Sequence, residues 1–142
     1  MKQHTSTKTL NQPEEARSWH IIDAKDKVLG RISPEIAHLL QGKHKTSFSY
    51  NVDSGDYVVV INAREVELTG RKEQTKVYQR YSGFPGGLKE ISYAEMMKKN
   101  PDEVVRRAVS GMLPKNKLRD RRLARLFIYP GADHPHADKI GK

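Results

Sequence analysis

The stretch Tyr57-Val58-Val59-Val60-Ile61-Asn62 limits what this chain can fold into more than any other. It is apolar at every position before Asn62, without the alternation of a strand that keeps one face wet. A β-branched run of this kind reads as a strand covered on both faces, as in a parallel sheet. Asp53-Ser54-Gly55-Asp56 supplies turn chemistry before it and Asn62 stops it. The run is therefore expected to be the central strand of a layered α/β domain.

The neighbouring segments fit that plan. Trp19-His20-Ile21-Ile22, closed by Asp23, is a first strand. Leu29, Ile32, Ile36, Leu39 and Leu40 recur at helical spacing. Ser33-Pro34-Glu35 has the form of a helix start, so the helix begins there or one turn earlier, and Gly42 is its expected C′ residue. Strand, helix and strand make a βαβ unit. Thr75 to Tyr81 reads as a third strand on or near an edge, followed by a glycine-rich loop from Ser82 to Lys89. Ser92 caps a short helix through Lys99. Asn100-Pro101-Asp102-Glu103 opens another with a cap, an N1 proline and acids against the dipole. Val104, Val105, Ala108, Val109 and Met112 share its apolar face, and Pro114 ends it. Lys115 to Arg125 is a further short helix, and Leu126-Phe127-Ile128-Tyr129 is a last strand. Residues 1–17 form a polar arm, and residues 18–142 form a single α/β domain with a C-terminal tail.

Charge indicates the partner. The chain carries a net +9. Residues 1–70 hold nine basic and nine acidic side chains, whereas residues 71–142 hold seventeen basic and eight acidic, so the second half carries all of the excess. Such asymmetry points to a polyanion met by one part of the molecule, against the plainer reading of a solubilising surface. No strongly amphipathic helix or membrane-length apolar run favours a lipid surface. The absence of cysteine excludes disulfides, thiolate metal sites and a cysteine nucleophile. Without the apolar core of a secretory signal, the expected location is the cytoplasm.

Three stretches carry chemistry. Lys115 to Arg125 has six basic residues in eleven, opposed only by Asp120. Arg121, Arg122 and Arg125 lie within about one helical turn, a density suited to successive phosphates. In the Ser82–Lys89 loop, glycines allow close backbone approach to phosphate and Phe84 is placed to stack on a base; the plain alternative is an ordinary turn. The Lys43–Tyr50 segment is basic with interleaved aromatics, and Phe48 and Tyr50 either pack on the core or stack on bases. Asp23 and Asn62 end strands where a ligand crevice would lie, Asp53 and Asp56 are acids three apart that could hold a metal, and His134 and His136 project alike if the tail is extended, as a transition-metal pair would. Turn capping or surface exposure accounts for each of these. No nucleophile–base–orienter set is recognisable, so no catalytic residue and no metal site is assigned.

These motifs together resemble the ribosomal protein L13 family of the large subunit, in its bacterial or organellar type. The resembling segments are WHIIDA from Trp19 to Ala24, Val28-Leu29-Gly30-Arg31, Gly42-Lys43-His44-Lys45, Val52 to Tyr57 with the central strand, and Leu68-Thr69-Gly70. They continue in family order with Tyr81-Ser82-Gly83-Phe84-Pro85-Gly86-Gly87, GMLPKN from Gly111 to Asn116, and His134-Pro135-His136-Ala137. The chain departs from the family at Thr46, where proline is frequent, and at Asn51 and Tyr81, where histidine is frequent.

The resemblance implies a three-layer αβα fold with a four-stranded, largely parallel sheet. It also implies a structural, rRNA-binding role early in large-subunit assembly. The partners would be large-subunit rRNA and neighbouring ribosomal proteins, with no catalysis, cofactor, membrane or small-molecule substrate. A regulatory RNA-binding module acting off the ribosome, or an α/β enzyme on a phosphorylated substrate, are the alternatives. Charge and resemblance together give the expected RNA-contacting set. It comprises Lys43, His44, Lys45, Arg71, Lys72, Lys76, Arg80, Tyr81, Ser82, Gly83, Phe84, Pro85, Gly86, Gly87 and Lys89. It continues with Arg106, Arg107, Pro114, Lys115, Asn116, Lys117, Arg119, Arg121, Arg122, Arg125, His134 and His136.

Overall fold

A computed structural model describes residues 17–140. The expected polar arm lies outside the described residues except for Arg17. Strand β1 (Trp19–Asp23), helix α1 (Leu29–Gln41) and strand β2 (Tyr57–Ile61) form the βαβ unit read from the sequence. β1 and β2 are parallel, with Trp19 opposite Tyr57 and Asp23 opposite Ile61. Strand β5 (Leu126–Ile128) lies parallel along the other edge of β2, so β2 is central. Val58, Val59 and Val60 are fully buried, as a strand covered on both faces requires.

α1 takes the earlier of its two possible starts. Val28 offers no side-chain cap, but the first orphan donor, the Leu29 N–H, reaches the Glu67 carbonyl at 2.9 Å. Ser33 is therefore interior, and its hydroxyl donates back to the Leu29 carbonyl at 2.7 Å. Gly42 ends the helix at φ +77°, and a Cβ there would stand 2.8 Å from the Ser54 carbonyl oxygen.

The sheet corrects the four-stranded expectation. Among the described residues the parallel sheet has three strands, and Val77–Tyr81 (β3) instead pairs antiparallel with Leu88–Ser92 (β4) in a separate hairpin. In β3 only Tyr78 is buried, and Val77 is 46% exposed. Such a strand has one face to bury, which suits a hairpin at the surface and not a parallel sheet covered on both sides. The segment Lys72–Thr75 is a short helix (α2), so β3 starts two residues later than expected.

Helix α3 (Tyr93–Lys99) begins as read, with the Ser92 hydroxyl accepting the Glu95 N–H at 3.3 Å. Helix α4 (Pro101–Met112) has proline at its start and Asp102 and Glu103 in its first turn, but the Asn100 side chain makes no cap bond. Val104, Val105 and Val109 are buried, whereas Met112 at the last helical position is 42% exposed. Helix α5 is limited to Leu118–Leu123.

One core joins α1, α4, Val58 and Val60 of β2, and Tyr78, Tyr93 and Met96 below the hairpin. α1 packs on α4 and α5, and α3 bridges α4 to α2 and β4, so the helices gather on one side of the sheet. On the opposite face Trp19 stacks on Tyr57 at 4.4 Å and on Phe127 at 5.7 Å. His136 of the tail covers those rings, 5.0 Å from Trp19 and 4.5 Å from Phe127. Among the described residues this tail stands where the αβα expectation put a second helical layer. Three strands present a narrow face, over which the rings and the turn at His136 lie while Ile21 stays 43% exposed.

Candidate nucleic-acid interface

The hairpin register is the most informative feature of the surface. It sets Arg80 opposite Lys89 and Tyr81 opposite Leu88. Like charges directly across an antiparallel pair repel, so folding alone does not favour this placement. Tyr81 (65% exposed), Phe84 (74%) and Leu88 (52%) add aromatic and apolar surface beside the two cations. The connecting loop is a built turn: the Ser82 N–H donates to the Gly87 carbonyl at 3.3 Å and the Gly87 N–H to the Phe84 carbonyl at 3.0 Å. Gly83 and Gly86 have φ of +84° and +71°, and a Cβ on Gly87 would overlap the Ser82 hydroxyl. This conformation projects Phe84 and, with Pro85, leaves the loop exposed.

Arg80, Tyr81, Ser82, Gly87 and Lys89 line a concavity of about 500 Å³. A second hollow of about 320 Å³ lies where the hairpin meets α3 and α4, with Tyr78, Ile91, Met96 and Arg107 in its lining. Lys76 and Arg107 stand over the Tyr78 ring at 5.4 and 5.3 Å. Burial pushes the Tyr78 phenol above its ordinary range. Arg107 is also held by Glu103 at 2.8 Å, and Arg106 beside it is half-buried. Arg71 and Lys72 are exposed at the start of α2.

The structure divides the Lys115–Arg125 cluster. Lys115, Lys117 and Arg121 are exposed and Arg119 half-exposed, beside exposed Pro114 and Asn116. Arg122 and Arg125 are 2% and 7% exposed, so the two arginines that share a direction point inward and only Arg121 of the three is left outside for phosphate. Arg125 grips Asp53 with both terminal nitrogens, at 2.6 and 2.5 Å, and donates to the Leu40 carbonyl at 3.1 Å. The Arg122 Nε stands 3.8 Å from the same carboxylate. Burial lowers the Arg122 guanidinium pKa, against the pull of Asp53. Leu118, Arg122 and Arg125 fall at i, i+4 and i+7, an inward stripe whose signal was present in the sequence but masked by the charge of its neighbours.

The Lys43–Lys45 segment divides in the same way. Lys43 is exposed. The Nε2 atoms of His44 and His20 each lie 2.9 Å from Asp56 Oδ2, and Lys45 Nζ is 2.7 Å from Oδ1. The Ser18 N–H also donates to Oδ1 at 3.1 Å. Burial alone would raise the Asp56 carboxyl, but the bonds from Lys45, His20 and Ser18 outweigh it and hold it below the usual range. Phe48 packs edge-on to Tyr50 at 5.2 Å, and Tyr50 is 81% exposed.

The tail histidines do not project alike into solvent. His136 packs on the sheet rings, and burial lowers its pKa, with Lys139 and His134 adding to the effect. His134 Nδ1 accepts the His136 N–H at 3.3 Å. At the strand ends the Asn62 amide donates to Asp23 at 2.8 Å, so these two polar groups satisfy each other. No helix among the described residues is long and apolar enough to cross a membrane.

The outward cations of the expected set lie on α2 and the hairpin, in the segment after α4, and at Lys43 after α1. The hairpin lies against the first half of α4, and the α5 segment follows the C-terminus of that helix. The fold and this surface define a class: a basic α/β protein that carries its cations on an exposed hairpin and a helix-flanking turn.

The family model described as ribosomal protein L13 matches residues 17–135. A Kocuria rhizophila protein described as large ribosomal subunit protein uL13 is 56% identical over 120 residues, covering 84% of this chain and 82% of its own. The protein of the same description from Clostridioides difficile is 54% identical over 121 residues, covering 85% of each chain. That from Syntrophotalea carbinolica is 49% identical over 132 residues, covering 93% of each. The chain belongs to the ribosomal protein L13 family.

Proposed function

We propose that the chain is a structural constituent of the large ribosomal subunit that binds large-subunit rRNA and supports early assembly beside neighbouring ribosomal proteins. The observation that carries the reading is the Arg80–Lys89 pair, two like charges set across one hairpin beside exposed Phe84. A polyanion turns that repulsion into attraction, and each neutralised phosphate adds counterion release. Phosphates are met by Arg80 and Lys89, with Arg71, Lys72 and Lys76 nearby in sequence, and by Lys115, Lys117, Arg119 and Arg121 beyond α4. Lys43 extends the surface, while Tyr81, Phe84 and the open Gly83–Gly87 backbone meet bases and sugar at close range. His44, Lys45, Arg122 and Arg125 serve by holding the elements that carry these groups.

Sedimentation of cell extract through a high-salt cushion tests the role. The protein is expected to be recovered quantitatively with large subunits. A predominantly free pool would point to a role off the ribosome and overturn the reading.

A further inference from the structure

Three side chains far apart in sequence converge at one point away from the hairpin. His20 on β1, His44 after α1 and Asp56 just before β2 bring their ligand atoms within 4.8 Å of one another. We propose that they form a binding site for a divalent transition metal of the zinc class. Around zinc, N and O ligands sit at about 2.0–2.2 Å, which places neighbouring ligand atoms about 3.3 Å apart. The two Nε2 atoms stand 2.9 Å from Oδ2, so those two edges open by a few tenths of an ångström, while the Nε2 pair, within 4.8 Å, closes toward the same spacing. The carboxylate is pre-aimed: Asp56 is 1% exposed, and its other oxygen is held by the Ser18 N–H and Lys45. Outer donors of this kind fix a metal-binding carboxylate. The histidine side chains are 33% and 30% exposed, which leaves a solvent-facing position for a water ligand. Two imidazoles and one carboxylate suit zinc, cobalt or nickel better than calcium or magnesium.

Nε2 of each imidazole donates to Oδ2 in the metal-free protein, so binding removes that proton from Nε2 and leaves the ring as its Nδ1–H tautomer, with the Nε2 lone pair on the metal. Lys45 opposes the metal. Its ammonium, 2.7 Å from Oδ1, repels a dication on Oδ2, so affinity is set below that of a closed structural site. The bound metal would pin β1, the Gly42–Lys45 turn and the start of β2 together.

The test uses the full chain, stripped with chelator and titrated with Zn²⁺ while thermal unfolding is followed, and with Co²⁺ while its visible absorption is followed. Zn²⁺ is expected to raise the unfolding temperature, and Co²⁺ to show a histidine-ligated spectrum. His20→Gln and His44→Gln are each expected to weaken binding at least about tenfold. A double His134→Gln/His136→Gln variant is expected to bind normally, and Lys45→Gln to bind several-fold more tightly. No response to either metal overturns the proposal. So does a response that survives both His20→Gln and His44→Gln, one that requires the tail histidines, or one that Lys45→Gln leaves unchanged or weakens.

Discussion

Arg121, Arg122 and Arg125 show how little a residue type says about its work. Arg121 is exposed, while Arg122 and Arg125 are buried around Asp53. Loss of Arg125 is expensive, because the largely buried Asp53 carboxylate keeps only the longer approaches of Arg122 at 3.8 Å and Arg17 at 4.0 Å to offset its desolvation. Arg125→Ala is therefore expected to destabilise the free protein by about 3 kcal/mol, with Arg121→Ala within about 0.5 kcal/mol of the parent. Urea unfolding of the two variants checks the order, and equal effects would contradict the burial of Arg125. Local spacing contained part of this: Leu118, Arg122 and Arg125 lie on one helical stripe. What spacing could not contain was Asp53, which meets Arg125 across 72 residues of chain. His20, His44 and Lys45 around Asp56 were illegible for the same reason.

Elements were legible where their signals were local. β2 needed only its own apolar run, α1 its periodicity and Gly42, α3 its Ser92 cap, and α4 its proline and first-turn acids. The hairpin was not, because its partner strand Leu88–Ser92 lacks alternation and is recognisable only once Ile91 pairs with Tyr78. Its loop makes separate demands on stability and binding. Phe84 is 74% exposed, so Phe84→Ala is expected to leave thermal stability unchanged while weakening rRNA-fragment binding by about 1–3 kcal/mol through lost stacking. Gly86→Val meets open space and carries only the strain of a positive φ, about 1–2 kcal/mol. Gly87→Val must displace Ser82 and rebuild the turn, so it is expected to lower binding further than Gly86→Val. Calorimetric unfolding beside fragment titration separates the cases; a Phe84→Ala variant that binds normally would make the loop an ordinary turn.

At the scale of the molecule, a neutral first half and a basic second half are folded into one body whose core spans both. The first half supplies most of the parallel sheet and α1. The second half adds β5 and α4 to that core and places the hairpin and the α5 segment outside it. Charge asymmetry pointed to a polyanion from the sequence, but not to which cations are buried in ion pairs. The central claim is that the Arg80–Lys89 pair meets phosphate, and salt dependence tests it most directly. Each phosphate contact contributes roughly 0.7–0.9 to the slope of log affinity against log salt. For a large-subunit rRNA fragment, Arg80→Gln/Lys89→Gln is expected to flatten that slope by roughly 1.4–1.8, with thermal stability equal to or above the parent's because the cross-strand repulsion is gone. An unchanged slope in a normally folded double variant would contradict the account.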